Sequence, residues 1–251
     1  MTGREERFGL PPSVEACLFD LDGVLTQTAI VHAAAWKQMF DEFLRAHAEQ
    51  TGTSYVEFDA KDDYDEYVDG KPRLDGTRDF LASRGIELPE GGEGDPPGTP
   101  TVNGLSNRKN DLVLEKIRAE GVDVYPGSVD YVRSVRAAGL KTAVVSSSAN
   151  TVDVLECTGL TACFDARIDG VVAKQRGLKG KPAPDTFLAG ADALGVGPAN
   201  AAVFEDALAG VAAGKAGHFA CVVGVDRVGQ SAELREHGAD IVVQDLSELL
   251  S

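Results

Sequence analysis

The sequence has few cysteines, which build disulfide frameworks and zinc–thiolate sites, and it has no long apolar run of the kind that spans a membrane. Four cysteines occur among 251 residues, and none belongs to a CxxC pair. We therefore predict reduced, structural thiols. No apolar run approaches the roughly 20 residues of a membrane-spanning helix. The opening residues, MTGREERFGLPPS, lack the apolar segment of a signal peptide, so the cytoplasm is the expected compartment.

Positive charge is also scarce. The 24 Lys and Arg residues against 40 Asp and Glu give a formal net charge of -16. Nucleic acid and anionic membrane surfaces repel such a chain, so neither is an expected partner. An anionic substrate would need a locally positive site within this acidic protein. We expect a monomer that acts on a small molecule.

The second half of the chain alternates between predicted strands and helices. Strands are predicted at 15–20, 141–146, 166–169, 201–206, 219–225 and 239–243. Such alternation indicates a parallel sheet with crossover connections. A polar stretch with helical segments separates the first strand from the others. We predict an α/β protein with a Rossmann-like parallel sheet, formed by residues 1–30 and 121–251, and an inserted α-helical domain at 31–120.

The first predicted strand is followed at once by an acidic turn, Asp20-Leu21-Asp22-Gly23-Val24. Ligand sites in open α/β sheets lie at the carboxyl ends of strands, so both carboxylates can face one site. Neighbouring like charges are costly unless a cation lies between them, which favours oxygen-ligated Mg²⁺. The alternative is a solvated Asp-x-Asp-Gly turn.

Two further segments border predicted elements: one follows a predicted strand, and the other precedes a predicted helix. Residues 146–150 (SSSAN) offer hydroxyls and backbone N–H groups that can cradle a phosphate. In residues 180–185 (GKPAPD), two prolines fix the loop that carries Lys181, and a lysine there can offset phosphate charge. The plainer interpretations are a helix N-cap by Ser148 or Asn150, and a surface lysine.

The strand AAVFED at 201–206 ends in a second acidic pair, Glu205 and Asp206. Because the carboxyl ends of parallel strands share one edge of the sheet, this pair is a natural second half of a metal site. Helix N-capping by Asp206 is the alternative.

Taken in this order, the four segments resemble the haloacid dehalogenase superfamily of phosphotransferases. Within it the chain is most similar to the β-phosphoglucomutases, including bacterial proteins linked to maltose and trehalose metabolism. Additional matches to that group are residues 19–37, 69–73 and 107–110. The resemblance implies a haloacid dehalogenase-type core in which the insertion after the first strand is a helical cap.

The resemblance also implies roles for the residues of the core. Asp20 would attack phosphorus and become an aspartyl phosphate, and Asp22 would act as general acid and base. Mg²⁺ would be held by Asp20, the backbone carbonyl of Asp22, and Asp206, with Glu205 close by. The implied ligands of the transferring phosphoryl group are Ser146, Ser147 and Lys181.

A further set of residues is implied to bind the sugar phosphate or to position Asp22: Thr28, His32, Arg73, Lys109, Ser148 and Asn150. Plainer interpretations stay open for four of them. His32 could be a packing histidine, Thr28 a helix cap, and Arg73 and Lys109 ordinary surface charges.

Two positions depart from the β-phosphoglucomutase pattern. Gln27 stands where that pattern has an aspartate, and Ala149 stands where it has a lysine in the serine segment. The second change removes a positive group expected near the non-transferring phosphate.

Three functions are compatible with the sequence. The first is an isomerase that converts β-glucose 1-phosphate to glucose 6-phosphate, with glucose 1,6-bisphosphate as the priming intermediate. The second is a hydrolase, a phosphatase of sugar phosphates or related metabolites, which would use the same site but admit water. The third is a non-catalytic module that binds sugar phosphate, which the intact set of acidic residues and Lys181 disfavours. The sequence favours the first.

Overall fold

The computed structural model describes residues 8–250, whose strands form one parallel sheet. The strands are β1 (Ala16–Phe19), β2 (Lys141–Val145), β3 (Ala166–Ile168), β4 (Ala201–Glu205), β5 (Cys221–Val225) and β6 (Ile241–Val243). Their order across the sheet is β3-β2-β1-β4-β5-β6. The predicted α/β class with a Rossmann-like sheet is therefore confirmed, because parallel neighbours of this kind require crossover connections.

Helices make most of the connections between these strands. They are α1 (Thr28–Thr51), α2 (Arg73–Ser83), α3 (Val102–Glu120), α4 (Pro126–Ala137), α5 (Thr151–Thr158), α6 (Gly170–Arg176), α7 (Asp185–Ala193), α8 (Leu208–Ala216) and α9 (Ser231–Glu236). Within residues 8–250, no helix is both long enough and apolar enough to cross a membrane. In the same part of the chain, all four cysteines are free thiols.

Strands β1, β4 and β5 are buried along their whole length, which explains their almost unbroken apolar sequences. Side chains of β1 point alternately to the two faces. Leu18 packs in a cluster with Phe187 of α7 on one face. Phe19 stacks on Phe204 with ring centroids 4.5 Å apart and meets Tyr131 of α4 on the other face. Strands covered on both sides have no need of polar alternation.

The described residues form two compact units. One contains the chain up to Gln27 and again from Val122, and the other contains Thr28–Gly121. The whole of α1 belongs to the second unit. Its first boundary therefore lies three residues before the predicted one, and its second boundary lies one residue after the predicted one. The second unit consists of α1, α2, α3 and a π-helical turn at Tyr64–Val68.

Aromatic side chains form the centre of the inserted unit. Phe40 of α1 lies 5.3 Å from Trp36, 5.2 Å from Phe58 and 4.1 Å from Phe80, measured between ring centroids. Phe40, Phe58 and Phe80 are fully buried, and Trp36 nearly so. The insertion therefore has its own hydrophobic core, as a separately folded unit requires.

We expect Phe40→Ala to lower the free energy of unfolding of the inserted unit by about 3–5 kcal/mol, because the surrounding rings cannot close the cavity completely. Trp36, the one tryptophan of the chain, reports on this unit alone. Urea unfolding followed by its fluorescence would measure the change. Phe43→Ala, on the partly exposed side of the same helix, is the matched control. Equal losses in the two variants would contradict the assignment of Phe40 to the core.

Candidate active site

The candidate site lies at the carboxyl edge of the sheet, where β1 is flanked by β2 and β4. The chain leaves β1 toward β2 and β3 on one side and returns to β4 on the other. Such a reversal creates the crevice in which open α/β sheets bind their ligands. Phe19 is paired with Phe204 in the parallel register. Asp20 therefore follows at the level of Glu205.

A buried acidic cluster occupies this edge. Asp20, Glu205 and Asp206 each offer a carboxylate oxygen, and these oxygens lie within 4.8 Å of one another. The three residues are 6%, 0% and 9% exposed, respectively. Glu205 Oε2 also accepts a hydrogen bond from the Ala207 N–H at 3.0 Å. Carboxylates this close and this well buried repel one another unless positive charge is present.

Lys181 supplies part of that positive charge from the loop before α7. Its ammonium group donates to Asp20 Oδ1 and to the Val145 carbonyl, the latter at 3.2 Å, and forms an ion pair with Glu205. Burial opposes the charge of this side chain. The carboxylates of Asp20 and Glu205 outweigh burial and hold the pKa of Lys181 above its ordinary value. Lys181 is thus a fixed cation beside the nucleophile candidate.

The cluster suits a divalent cation by its charge and by its donor atoms. Lys181 offsets one of the three carboxylates, and a divalent ion would offset the other two. Burial raises the pKa of Asp20 well above its ordinary value, and Lys181 opposes that rise. A bound cation would act in the same direction as Lys181, because it favours the ionised form. The donors in this set are all oxygen atoms, which Mg²⁺ prefers.

Asp22 lies in the turn after β1 but outside this cluster. Ser146 Oγ donates to Asp22 Oδ2 at 3.3 Å. The Gly23 N–H donates to the Thr26 carbonyl at 2.8 Å. Because a trans peptide directs its N–H and C=O in opposite directions, the Asp22 carbonyl points away from Thr26. The turn therefore presents the Asp22 carboxylate to the serine segment.

The serine segment is a compact turn held by its own hydroxyl groups. Ser146 Oγ accepts from the Ser148 N–H at 3.0 Å, and Ser148 Oγ accepts from the Asn150 N–H at 3.1 Å. Asn150 precedes α5 as its N-cap residue, but its side chain makes no capping bond. Ser147 lies inside the same turn. The structure thus joins Ser146 to Asp22 and shows Ser148 and Asn150 in contact with each other.

Two residues predicted from the sequence meet within the inserted unit. His32 Nδ1 and Lys109 Nζ are 2.9 Å apart, and Lys109 Nζ lies 4.9 Å from the centroid of the Trp36 ring. Lys109 is only 5% exposed. Its interpretation as an ordinary surface charge is therefore wrong. Trp36 itself packs in the hydrophobic core of the inserted unit.

Thr28 and Arg73 occupy helix starts in the same unit. Thr28 is fully buried at the first residue of α1. Arg73 begins α2, and its buried Nε has no hydrogen-bond partner among the described residues. Burial lowers the pKa of Arg73, and the charge of Asp111 opposes that change. An unpartnered guanidinium nitrogen is costly to bury, and an acceptor atom would remove that cost.

Two glycines that the sequence analysis did not single out as site residues fit closely against the acidic cluster. Gly23 has a φ of +87°, and a Cβ atom at this position would overlap the carboxylate of Asp206. A Cβ atom at Gly210 of α8 would overlap the carboxylate of Glu205. The DxDG pattern marks Gly23 as a turn residue, but nothing in the sequence marks Gly210. The close approach of backbone to carboxylate is visible only in the fold.

We expect Gly23→Ala to lower kcat at least about 100-fold, because displaced reacting groups cost activity steeply. Gly139→Ala is the matched control, since Gly139 has a φ of +86° and nothing within 4 Å of the added methyl group. Both variants should lose about 1–2 kcal/mol of stability from left-handed strain. Steady-state kinetics and thermal unfolding separate the two effects. A similar fall in kcat for both variants would show that strain alone, and not the contact with Asp206, is responsible.

Comparison with known proteins identifies the class to which this fold and site belong. The sequence model described as haloacid dehalogenase-like hydrolase matches residues 14–218. A structure of β-phosphoglucomutase from Clostridium difficile superposes with a TM-score of 0.73 and 27% identity, covering 94% of this chain and 93% of that one. The chain belongs to the haloacid dehalogenase-like hydrolase family and, within it, to the β-phosphoglucomutase-like group.

Two similar sequences agree with this placement. The β-phosphoglucomutase of Mycobacterium tuberculosis is 57% identical over 250 residues, which cover 98% of this chain and 95% of the relative. The β-phosphoglucomutase of Bacillus subtilis is 34% identical over 244 residues, covering 94% of this chain and 92% of the relative. The similarity therefore extends over the core and the inserted unit alike.

Proposed function

We propose that the protein is a β-phosphoglucomutase, which converts β-glucose 1-phosphate to glucose 6-phosphate through an aspartyl phosphate on Asp20. The observation that carries this proposal is the buried contact of Lys181 with Asp20, which is one of the three carboxylates of the acidic cluster. The relative of 57% identity that bears this name supports the choice of substrate. We propose further that one copy of the chain acts alone, and that it acts in the cytoplasm.

The core residues divide the work of phosphoryl transfer. Asp20 attacks phosphorus, so that one P–O bond forms at its carboxylate as the bond to the sugar oxygen breaks. Lys181 and Ser146 hold the oxygens of the transferring group. Mg²⁺, held by Asp20, Asp206 and the Asp22 carbonyl with Glu205 close by, would neutralise charge on those oxygens when bound.

Asp22 is the proton carrier of this proposal. It protonates the sugar oxygen as that oxygen leaves phosphorus, and in the second half of the cycle it accepts the proton of the attacking hydroxyl. Before substrate binds, the Ser146 hydroxyl donates to Asp22 Oδ2 at 3.3 Å and orients the carboxylate. Its single proton then turns to an oxygen of the transferring group.

The inserted unit supplies sugar-phosphate recognition in this proposal. Arg73 and Lys109 contribute positive charge, and His32 with Thr28 orients the sugar or Asp22. Glucose 1,6-bisphosphate serves as the priming intermediate, because the phosphoryl group lost from one position must be returned to another. Water must be excluded while the phosphoenzyme waits for a sugar hydroxyl, and we assign that task to the inserted unit as a cap.

A phosphatase is the second candidate, and one observation favours it. Ala149 replaces the lysine that the β-phosphoglucomutase pattern places beside the non-transferring phosphate. Weaker retention of the bisphosphate would give water more time to reach the phosphoenzyme. The two functions share every core residue and differ in the acceptor.

A coupled assay separates the two functions. The protein would be given β-glucose 1-phosphate, Mg²⁺ and a trace of glucose 1,6-bisphosphate, and glucose 6-phosphate and free phosphate would be followed together. We expect rapid formation of glucose 6-phosphate with little free phosphate. Free phosphate without isomerisation would replace the mutase by a phosphatase, and a panel of metabolite phosphates would then identify its substrate.

A further inference from the structure

The loop that follows β5, residues 226–231, makes hydrogen bonds to both acidic loops of the core. Asp226 gives this loop a fixed shape. Its Oδ1 accepts from the N–H groups of Val228, Gly229 and Gln230 at 3.2, 2.7 and 2.8 Å. Its Oδ2 accepts from the Ser231 hydroxyl. A loop tied by four bonds to one carboxylate is a rigid platform for the side chains it carries.

Arg227 extends from this loop to the turn after β1. Its Nε donates to the Gly23 carbonyl at 2.9 Å, and its Nη2 donates to the Val24 carbonyl at 3.2 Å. The guanidinium plane covers the Tyr125 ring at 3.5 Å from the centroid. Nη1 of Arg227 donates to the backbone carbonyl of Gln244, which follows β6, at 2.7 Å. The planar fork of an arginine suits such a set of fixed acceptors, and a lysine could not reproduce it.

Gln230 extends from the same loop to the turn after β4. Its Nε2 donates to the backbone carbonyl of Asp206 at 3.0 Å. Together, Arg227 and Gln230 hold the backbone beside Asp22 and the backbone of Asp206, which follow different strands. Neither side chain contributes a carboxylate to the acidic cluster.

The physical need for such support follows from the charge of the cluster. The carboxylates of Asp20, Glu205 and Asp206 repel one another, and the turns that carry them would separate if they were free to do so. Metal sites depend on outer groups that fix the orientation of their ligands. Bonds from one rigid loop to both turns keep the ligand atoms at a set separation.

We propose that Arg227 and Gln230 are positioning residues that set the divalent-cation affinity of the acidic cluster. This inference rests on the proposed function, since it takes the cluster as the site of Mg²⁺. The two side chains act through the backbone carbonyls of Gly23, Val24 and Asp206, to which they donate.

Direct binding of Mn²⁺ tests the proposal without turnover. Free Mn²⁺ would be measured by electron paramagnetic resonance on the full chain and on its Arg227→Lys and Gln230→Met variants. We expect the dissociation constant of Arg227→Lys to rise about tenfold or more, as is usual when outer support of a metal site is lost. Gln230→Met should raise it by a smaller factor, because one hydrogen bond is removed. In the kinetic assay, excess Mg²⁺ should restore most of kcat to both variants.

Arg136→Lys is the matched control. Arg136 Nη1 also bonds to a backbone carbonyl, that of Cys163, and to the Asp165 carboxylate, but it lies at the opposite edge of the sheet, before β2 and β3. The Arg136→Lys variant should lose about as much stability as Arg227→Lys. Its Mn²⁺ dissociation constant should stay within about twofold of that of the unmodified protein, because no outer support of the site is lost.

The outcomes separate this proposal from the proposed function. If folded Arg227→Lys and Gln230→Met both bind Mn²⁺ like the unmodified protein, the positioning role is wrong. It is equally wrong if the unmodified protein binds no Mn²⁺, or if Arg136→Lys weakens binding as much. If the variants weaken Mn²⁺ binding while the unmodified protein fails to isomerise β-glucose 1-phosphate, the positioning role stands and the mutase assignment falls.

Discussion

Asp20→Asn should abolish turnover while the chain remains folded. An amide cannot accept the phosphoryl group as a carboxylate does, and loss of a nucleophile costs on the order of 10⁴-fold or more in kcat. The fold should survive, because Lys181 keeps its ion pair with Glu205 and its bond to the Val145 carbonyl. The coupled assay measures the loss of turnover. Mass spectrometry of acid-quenched protein tests whether a phosphoryl group is still transferred to the chain.

The control for this variant is Asp165→Asn. Asp165 accepts from the Thr142 N–H at 2.9 Å at the amino edge of the sheet, away from the acidic cluster. It should keep full activity and show a modest loss of stability. Activity in Asp20→Asn near that of the unmodified protein, with deamidation excluded by mass, would disprove the nucleophile assignment.

The fold could be predicted because a parallel sheet leaves a simple pattern in the sequence. Strands buried on both faces, such as β4 and β5, appear as short apolar runs, and the helices between them follow from the need for crossovers. After residue 121 the sequence predicts helices at 128–138, 151–158 and 185–194, and one that ends at about 215. It does not predict α6 and α9. Each has fewer than eight residues, too few for a helical period to be distinguished from a polar loop. The Asp169 side chain, which caps α6 through the Val172 N–H, was the available clue.

The acidic cluster could be anticipated for a related reason. In a parallel sheet all carboxyl ends share one edge, so polar residues just past two neighbouring strands must be close in space. Asp20 and Asp206 satisfy this condition without any knowledge of side-chain conformation. The same argument does not fix the position of Lys181, since a lysine in a proline-rich loop could equally face solvent.

The supporting residues could not be anticipated. Arg227 is 204 residues from Gly23 along the chain, and its segment, VDRVGQS, looks like any polar loop after a strand. Its importance depends on which carbonyl groups lie within reach, and that depends on the twist and packing of the whole sheet. Gly210 was missed for the same reason, because the contact with Glu205 comes from the docking of α8.

Asp22→Asn should separate substrates by their leaving groups. With β-glucose 1-phosphate, loss of the proton carrier should lower kcat/KM by about 10²–10⁴-fold, the usual contribution of general acid–base catalysis. An aryl phosphate leaves with little need of a proton, so its transfer to Asp20 should fall by a much smaller factor. Stopped-flow release of the phenol from an aryl phosphate would measure that first step alone.

The comparison carries its own control, because both substrates react at the same Asp20. A defect in folding or in the acidic cluster would lower both rates together. The introduced asparagine could still accept a hydrogen bond from Ser146 through its side-chain oxygen, so the 3.3 Å contact and the local geometry should persist. Equal losses of rate on the sugar phosphate and the aryl phosphate would therefore mean that Asp22 only maintains the structure of the turn. Unequal losses would assign it to proton transfer.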